Sequence, residues 1–330
     1  MKKQTQILIL IISLLSCRNT TSNTYQDARN SGKVEGSDYK DTLTEVNQDQ
    51  KSNKEADNAL LIRDTITVNT VKELVLGLRN NRQIILSEGS YLLSDTVMYY
   101  SNGEEKNYVV SNKHGYYGNG GKLWISKFRN LSIHGEGTVK IESNNRKVAP
   151  LSLTFSKSVE IANLYIGHTQ ERESWCEDGV FNCIINSNIK IDNCVFDGSG
   201  IRGVDIRGCR EIQIKNTTIQ NCQQNIGTIS NSQIIKFEDC TFKKNGCYPG
   251  FYFSEKADSI MFNNCEFKEN FAYEVNDYEP DAIFDSSTDN VYISECTFYN
   301  NNHIELTGLP KSNFKDCRFL DSIKIGTIIY

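Results

Sequence analysis

The sequence NIKIDNCVF, at Asn188–Phe196, is the first of six similar phrases in the second half of the chain. The others are EIQIKNTTI (Glu211–Ile219), IIKFEDCTF (Ile234–Phe242), SIMFNNCEF (Ser259–Phe267), NVYISECTF (Asn290–Phe298) and KSNFKDCRF (Lys311–Phe319). Each phrase alternates apolar and polar residues on either side of one Asn, Asp or Glu, which predicts two short strands joined by a sharp corner. Successive phrases begin 21 to 31 residues apart, so the chain is predicted to be a solenoid of stacked coils.

The corner of each phrase carries a residue type that tolerates the left-handed backbone conformation. These residues are Asn163, Asn193, Asn216, Asp239, Asn264, Glu295 and Asp316, with Glu295 the odd member. Asparagine adopts this conformation most readily and can hydrogen-bond to a like neighbour in the next coil. The corners are therefore expected to stack into a column.

Directly after the corners come residues predicted to form an inward column: Cys194, Thr217, Cys240, Cys265, Cys296 and Cys317. Buried thiols at stacked positions pack as small apolar groups, and no CxxC pair or nearby His indicates a metal site. We therefore interpret the column as structural and mostly reduced. Among the cysteines off the column, a disulfide within the pair Cys176 and Cys183, or within the pair Cys209 and Cys222, stays open.

A further short strand precedes each phrase, as in Gly179–Ile185, Gly203–Arg207 and Phe251–Ser254. Three strands per coil, with this repeat length and corner chemistry, resemble a right-handed parallel β-helix of the pectate-lyase-like superfamily. The resemblance covers 130–330 well and 60–129 loosely. The segment with the GSGIRGV turn also looks like bacterial β-helix lipoproteins of no assigned activity. The resemblance to the pectate-lyase-like superfamily implies an all-β, three-sheet solenoid and says almost nothing about activity.

The N-terminal end of the solenoid is predicted to be closed by a helix. Thr70-Val71-Lys72-Glu73 fits a capping box, and Val71, Leu74, Val75 and Leu78 share one face. A capping helix protects the open strands at a solenoid end from pairing with another chain. Strands are predicted next at Gln83–Leu86, Ser90–Leu93 and Val97–Tyr100.

Three regions are predicted along the chain. Residues 1–17 have a basic start and an apolar run too short to span a membrane, and their ending Leu14-Leu15-Ser16-Cys17 resembles a bacterial lipobox. The resemblance implies a lipid on Cys17 and, with Arg18 next, the outer membrane of a Gram-negative bacterium; the alternative is a plain signal peptide. Residues 18–58 are polar and predict a flexible tether reaching about 35 Å. Residues 59–330 form the β-helix domain.

The charge distribution argues against nucleic acid as a partner. The formal net charge is −5, and the chain has no basic tract of the kind that binds phosphate backbones. A glycan and, through the lipid, a membrane are the partners that the sequence favours.

The candidate site lies on the outer face of the strands that precede the phrases. Alternation turns Asp205 and Arg207 outward, with Arg202 nearby, and a carboxylate beside guanidinium groups can bind an acidic sugar or act in its lyase or epimerase chemistry. Substrate contacts are predicted from Trp175, Tyr248, Tyr252, Tyr273, Tyr278 and His168, which lie on this face or in the long loops Gly167–Asp178 and Lys268–Asp281. These loops are expected to wall a groove.

Two alternatives to an acidic-polysaccharide enzyme remain. The Asp and Arg can form an ordinary surface ion pair, and the protein can be a non-catalytic β-helix for adhesion, glycan or partner binding, or a structural role. The chain has no Asp-Asp pair, and Gly167-His168 is followed by Thr169, so it lacks the residues typical of polygalacturonase-like hydrolases. No metal ligands are predicted with certainty; Ca²⁺ at the acidic loops stays open, although no DxDxDG spacing supports it.

Overall fold

A computed structural model describes 62, 64–93, 121–145, 147–169, 178–198, 201–247, 250–254, 256–272, 282–286, 288, 290–301, 309–320, 324–325 and 328–329. The predicted signal peptide, the tether and the strand at Val97–Tyr100 lie outside these residues. Within them, no helix is long and apolar enough to cross a membrane.

Three parallel sheets make up the described domain. Sheet A has ten strands: β1 Asp64–Val68, β2 Arg82–Leu86, β5 Arg129–Gly135, β8 Lys157–Ala162, β11 Ser187–Asp192, β14 Arg210–Lys215, β17 Gln233–Glu238, β21 Asp258–Asn263, β25 Val291–Ser294 and β27 Phe314–Lys315. Sheet B has nine: β3 Gly89–Leu93, β6 Val139–Ser143, β9 Tyr165–His168, β12 Val195–Asp197, β15 Thr218–Gln220, β18 Thr241–Lys243, β22 Glu266–Lys268, β26 Thr297–Tyr299 and β28 Arg318–Phe319.

Sheet C has seven strands: β4 Leu123–Ser126, β7 Leu151–Thr154, β10 Gly179–Ile184, β13 Arg202–Arg207, β16 Asn225–Ser230, β20 Phe251–Phe253 and β24 Phe284–Ser286. Two small two-stranded sheets are also present, one parallel (β19 Gly246–Cys247 with β23 Phe271–Ala272) and one antiparallel (β29 Lys324–Ile325 with β30 Ile328–Ile329). A 3₁₀ turn spans Lys311–Asn313.

The chain visits the three sheets in a fixed order, from C to A to B, in each complete coil. The phrase at Asn188–Phe196, for example, divides between β11 in sheet A and β12 in sheet B, and β10 of sheet C precedes it. Each strand pairs in parallel with the equivalent strand of the next coil. The predicted all-β, three-sheet solenoid is confirmed. Strand β1, which the sequence reading missed, adds one more strand to sheet A.

The predicted N-terminal helix is present as α1 Val71–Gly77. The Thr70 hydroxyl accepts a hydrogen bond from the Glu73 amide at 3.1 Å, and the Asn69 amide donates to the Glu73 carboxylate at 2.7 Å. The second bond of the capping box therefore comes from the residue before the cap. Leu74 and Val75 are buried, as expected of a helix that covers the first strands.

All seven predicted corner residues adopt the left-handed conformation, with φ between 47° and 58°. Their side chains also bond between coils: the Asn193 amide group donates to Asn163 Oδ1 at 2.9 Å, and the Asn264 amide group donates to the Asp239 carboxylate at 2.6 Å. Glu295 holds this conformation with φ of 56°, without the short polar side chain that eases it.

The interior is filled by columns of like residues. Isoleucine recurs on the inner face of sheet A, as in the partners Ile189 and Ile212. Phenylalanine recurs on the inner face of sheet B, where the rings of Phe267 and Phe298 stack at 4.8 Å between centroids and 9° between planes. Parallel stacking in register brings these like side chains together.

The cysteine column is inward, as predicted. Cys194, Cys240, Cys265 and Cys296 are buried and unpaired, and Cys317 in the last coil is half-buried. Burial raises the pKa of the Cys194 thiol to about 12, so this group stays protonated and packs as a small apolar side chain. Off the column, no disulfide joins Cys209 to Cys222. The Sγ atom of Cys209 lies 3.6 Å from that of Cys183, and Cys176 lies outside the described residues.

A second internal column was not predicted. Asn245, Asn270 and Asn301 are buried just after sheet B. Asn270 Nδ2 donates to Asn301 Oδ1 at 3.0 Å and to the Phe242 carbonyl at 3.0 Å, while Asn270 Oδ1 accepts from the Asn245 main-chain amide at 3.1 Å. We call these three residues the asparagine ladder. They supply hydrogen-bond partners to main-chain groups at the corner where the chain leaves sheet B. Without the ladder these main-chain groups would be buried with no partner.

Replacing Glu295 by Asn is expected to raise the free energy of unfolding by about 0.5–1 kcal/mol, because Asn tolerates the left-handed corner better than Glu. The reciprocal change, Asn264→Glu at an equivalent exposed corner, is expected to lower it by a larger amount, because it also removes the hydrogen bond from Asn264 to Asp239. Urea unfolding followed by circular dichroism measures both. Equal stability of the two variants would contradict the proposed role of corner strain.

Replacing Asn270 by Ala is expected to lower the free energy of unfolding by about 3 kcal/mol, because the Asn245 amide and the Phe242 carbonyl each lose a buried partner. The matched control is Asn263→Ala, on the exposed face of sheet A, which is expected to change it by less than about 0.5 kcal/mol. The same urea titration compares them. A small effect of Asn270→Ala would show that the ladder contributes little.

Candidate functional site

The outer face of sheet C carries one row of aligned side chains, which we call the polar row. Its members are Cα partners on successive strands: Trp124, Ser152, Asn182, Asp205, Thr228, Tyr252 and Asp285. Adjacent members are about 4.8 Å apart, the spacing of paired strands. The row therefore runs along the solenoid axis, and each member occupies one step.

At the centre of the row, Asp205 is held by two arginines. Arg207 Nε donates to Asp205 Oδ1 at 2.7 Å, and Arg207 Nη2 and Arg202 Nη1 donate to Asp205 Oδ2 at 2.6 and 3.0 Å. The Asp205 side chain is only 6% exposed, whereas that of Arg207 is 47% exposed. We call these three residues the arginine cluster. The three side chains together carry a formal charge of +1, and Arg207 is the most exposed of them.

The N-terminal end of the row is formed by an indole that the sequence reading did not single out. Trp124 Nε1 donates to Thr154 Oγ1 on β7 at 2.7 Å, so the indole reaches the neighbouring strand. The Lys122 ammonium lies 5.8 Å from the centre of the Trp124 ring. Burial lowers the pKa of Lys122, and the negative charge of Asp178 partly offsets this. The partly dehydrated amine of Lys122 is therefore stabilised by a cation–π contact with Trp124 and by the negative charge of Asp178.

Next to the arginine cluster, the row contains two polar atoms without partners. Asn182 Nδ2 donates to Asp178 Oδ1 at 2.9 Å, but Asn182 Oδ1 and Ser152 Oγ are buried with no hydrogen-bond partner among the described residues. Buried polar groups are normally paired. A ligand hydroxyl or a water molecule between these two neighbours would satisfy both.

The C-terminal end of the row combines an aromatic ring with a carboxylate. Tyr252 on β20 is 37% exposed, and Asp285 on β24 is its Cα partner. Partial burial raises the pKa of Asp285, and no cation pairs with this carboxylate among the described residues. Because no described cation neutralises Asp285, this end of the row is negatively charged when the carboxyl group is ionised.

His168 lies in sheet B and does not join the polar row. Its side chain is buried, with Nδ1 2.6 Å from the Gly198 carbonyl oxygen and Nε2 3.0 Å from the Val148 carbonyl oxygen. These contacts tie the ring to the segments before β7 and after β12. Of the other predicted contacts, Tyr252 lies in the row, whereas Trp175, Tyr248, Tyr273 and Tyr278 lie outside the described residues, as do most of the two long loops.

No group of three or more His, Cys, Asp or Glu side chains in the described part of the chain is arranged to hold a metal ion. The two acidic loops at which Ca²⁺ stays open are described only at their ends, at 167–169 and 178 in Gly167–Asp178 and at 268–272 in Lys268–Asp281.

No known protein-family model matches the chain, and no curated protein matches it. Several solved structures are similar. The surface adhesin PfbA of Streptococcus pneumoniae has 12% identity and a TM-score of 0.45, covering 77% of this chain and 62% of its own. A pectin methylesterase from Aspergillus niger has 9% identity and a TM-score of 0.45, covering 82% and 87%. A polygalacturonase from Erwinia carotovora has 11% identity and a TM-score of 0.41, covering 84% and 98%.

The three parallel sheets thus define the class of the protein. It is a three-sheet parallel β-helix, and a right-handed coil is the sense that parallel crossover connections almost always take. At these identities the similar structures leave the activity to be argued from the polar row itself.

Proposed function

We propose that the outer face of sheet C binds an acidic polysaccharide that runs along the solenoid axis. The arginine cluster carries this proposal, because Asp205 fixes two guanidiniums on one face and Arg207 stays accessible. A guanidinium can bind a sugar carboxylate through two parallel hydrogen bonds. The uniform spacing between strands offers an extended glycan a series of evenly spaced contact positions.

The geometry supports binding better than acid–base catalysis by Asp205. Both of its carboxylate oxygens accept hydrogen bonds from arginine and its side chain is almost fully buried, so it orients the guanidiniums. Asp285 lies three strands away, about 14 Å, which exceeds the roughly 5–9.5 Å between paired carboxylates in glycosidases. Hydrolysis by this pair is therefore disfavoured.

The second candidate function is lyase or epimerase chemistry on the same ligand. It is favoured by the guanidinium of Arg207, because neutralising a uronate carboxylate is what acidifies the neighbouring proton in such reactions. Lyase turnover would release unsaturated products that absorb ultraviolet light, and epimerase turnover would exchange the proton next to the sugar carboxylate with solvent deuterium. A non-catalytic glycan-binding or adhesive protein would do neither.

The binding proposal predicts that Arg207→Gln weakens affinity for an acidic polysaccharide about tenfold, because one charge-assisted hydrogen-bonding partner contributes roughly 1.5–3 kcal/mol. Purified protein would be titrated with polygalacturonate, alginate and hyaluronan, with and without EDTA to test the open Ca²⁺ requirement, while absorbance is monitored.

Arg210→Gln is the matched control, since Arg210 is an equally exposed arginine on sheet A. It removes the same charge from a different face and is expected to leave affinity unchanged. Equal loss in both variants would indicate a general charge effect, and unchanged affinity in Arg207→Gln would remove the arginine cluster from the site.

For localisation we propose an exported protein, anchored in the outer membrane by a lipid on Cys17 and separated from it by the tether at 18–58. The order of basic start, short apolar run and Leu14-Leu15-Ser16-Cys17 supports this. Cys17→Ser is expected to abolish incorporation of labelled fatty acid and to move the protein from the membrane to the soluble fraction. Ser16→Ala, which keeps the cysteine, is the control; membrane retention of Cys17→Ser would contradict the anchor.

A further inference from the structure

The charge along the polar row changes sign over three strands. The arginine cluster is positive at Asp205, Thr228 is neutral in the next step, and Tyr252 and Asp285 follow. On the other side of the cluster, Asn182 and Ser152 are neutral. The row therefore offers a place for one acidic ligand group beside the cluster. Further along, the negative charge of Asp285 would repel a second acidic group.

Asp285 is an unneutralised carboxylate at the edge of this surface. It makes no ion pair or hydrogen bond within the described residues, and partial burial disfavours its charged form. A second sugar carboxylate brought to Asp285 would meet like-charge repulsion at short range. Sugar hydroxyls, by contrast, can donate to both of its oxygens.

Tyr252 gives the same end of the row an apolar surface. Its ring is 37% exposed and stands directly beside Asp285. An aromatic face next to a carboxylate suits a neutral sugar, whose C–H face packs on the ring while its hydroxyls bond to the oxygens. Tyr252 lies two steps and Asp285 three steps from Asp205, about 10 and 14 Å.

We propose that the ligand is a polysaccharide of mixed charge, in which an acidic residue at the arginine cluster is followed two to three residues along by a neutral residue at Tyr252 and Asp285. This selectivity rests on the proposed function. Under it, the protein discriminates against a polymer whose residues are all acidic, because such a polymer cannot reach the cluster without placing a carboxylate at Asp285.

The test uses polygalacturonate, alginate and hyaluronan, each as the untreated polymer and with part of its carboxyl groups methyl-esterified. Esterification keeps the sugar chain and removes charge at some residues. For polygalacturonate and alginate, whose residues are all acidic, the wild-type protein is expected to bind the partly esterified form several-fold more tightly than the untreated form. Hyaluronan, which already alternates acidic and neutral residues, is expected to show no such gain. Asp285→Asn is expected to bind the untreated form about fivefold more tightly than wild type and to lose the preference.

Asp316→Asn is the matched control, because this exposed corner residue has φ of 54°, which Asn accepts, and it lies between sheets A and B, away from sheet C. It is expected to behave as wild type. The selectivity inference is overturned if Asp285→Asn leaves binding of the untreated polymer unchanged or weaker while Arg207→Gln still reduces it. If Arg207→Gln has no effect, or none of the polymers binds, the proposed function itself fails.

Discussion

Parallel pairing of each strand with its equivalent in the next coil is the constraint on which the molecule depends. It fixes the register, so like residues lie above one another and every corner must turn in the same way. Seven corner residues accept a left-handed backbone to make this turn. Where the register holds, isoleucine and phenylalanine columns fill the interior and the outward side chains align in rows. The polar row is thus a product of the same stacking that forms the core.

Much of the fold could be predicted because its unit is repeated. A single short alternating segment is weak evidence for a strand. Six copies with Asn, Asp or Glu at the same position establish the repeat length and the parallel direction of the stacked strands. The asparagine ladder was missed although its signal is present: Asn245, Asn270 and Asn301 each stand three residues after the phenylalanine that ends a phrase. Strand β1 escaped because Asp64–Val68 precedes the capping helix and belongs to no copy of the phrase.

For the candidate site, the alternation of side chains between the two faces of a strand predicts only which residues point outward. Period two places Asp205 and Arg207 on one face, and the structure adds that both arginines bond to the one carboxylate, which depends on side-chain conformation. Trp124 and Asp285 were missed although β4 directly precedes β5 and β24 directly precedes the phrase at Asn290, because these short strands of sheet C have no recurring sequence of their own. His168 attracted notice as a chemically capable residue, yet nothing in its sequence context shows that two main-chain carbonyls face its ring.

The coil is also the unit in which such a surface can change. Inserting one coil between β16 and β20 would move Tyr252 and Asp285 away from the arginine cluster by one strand spacing, about 4.8 Å, and would leave the Asp205–Thr228 and Tyr252–Asp285 pairings intact. Solenoids tolerate this because each repeat contacts only its neighbours. The distance between the two ends of the row is therefore set in whole coils, so under the proposed function gain of a repeat there would alter which glycan sequence fits while every contacting side chain stays the same.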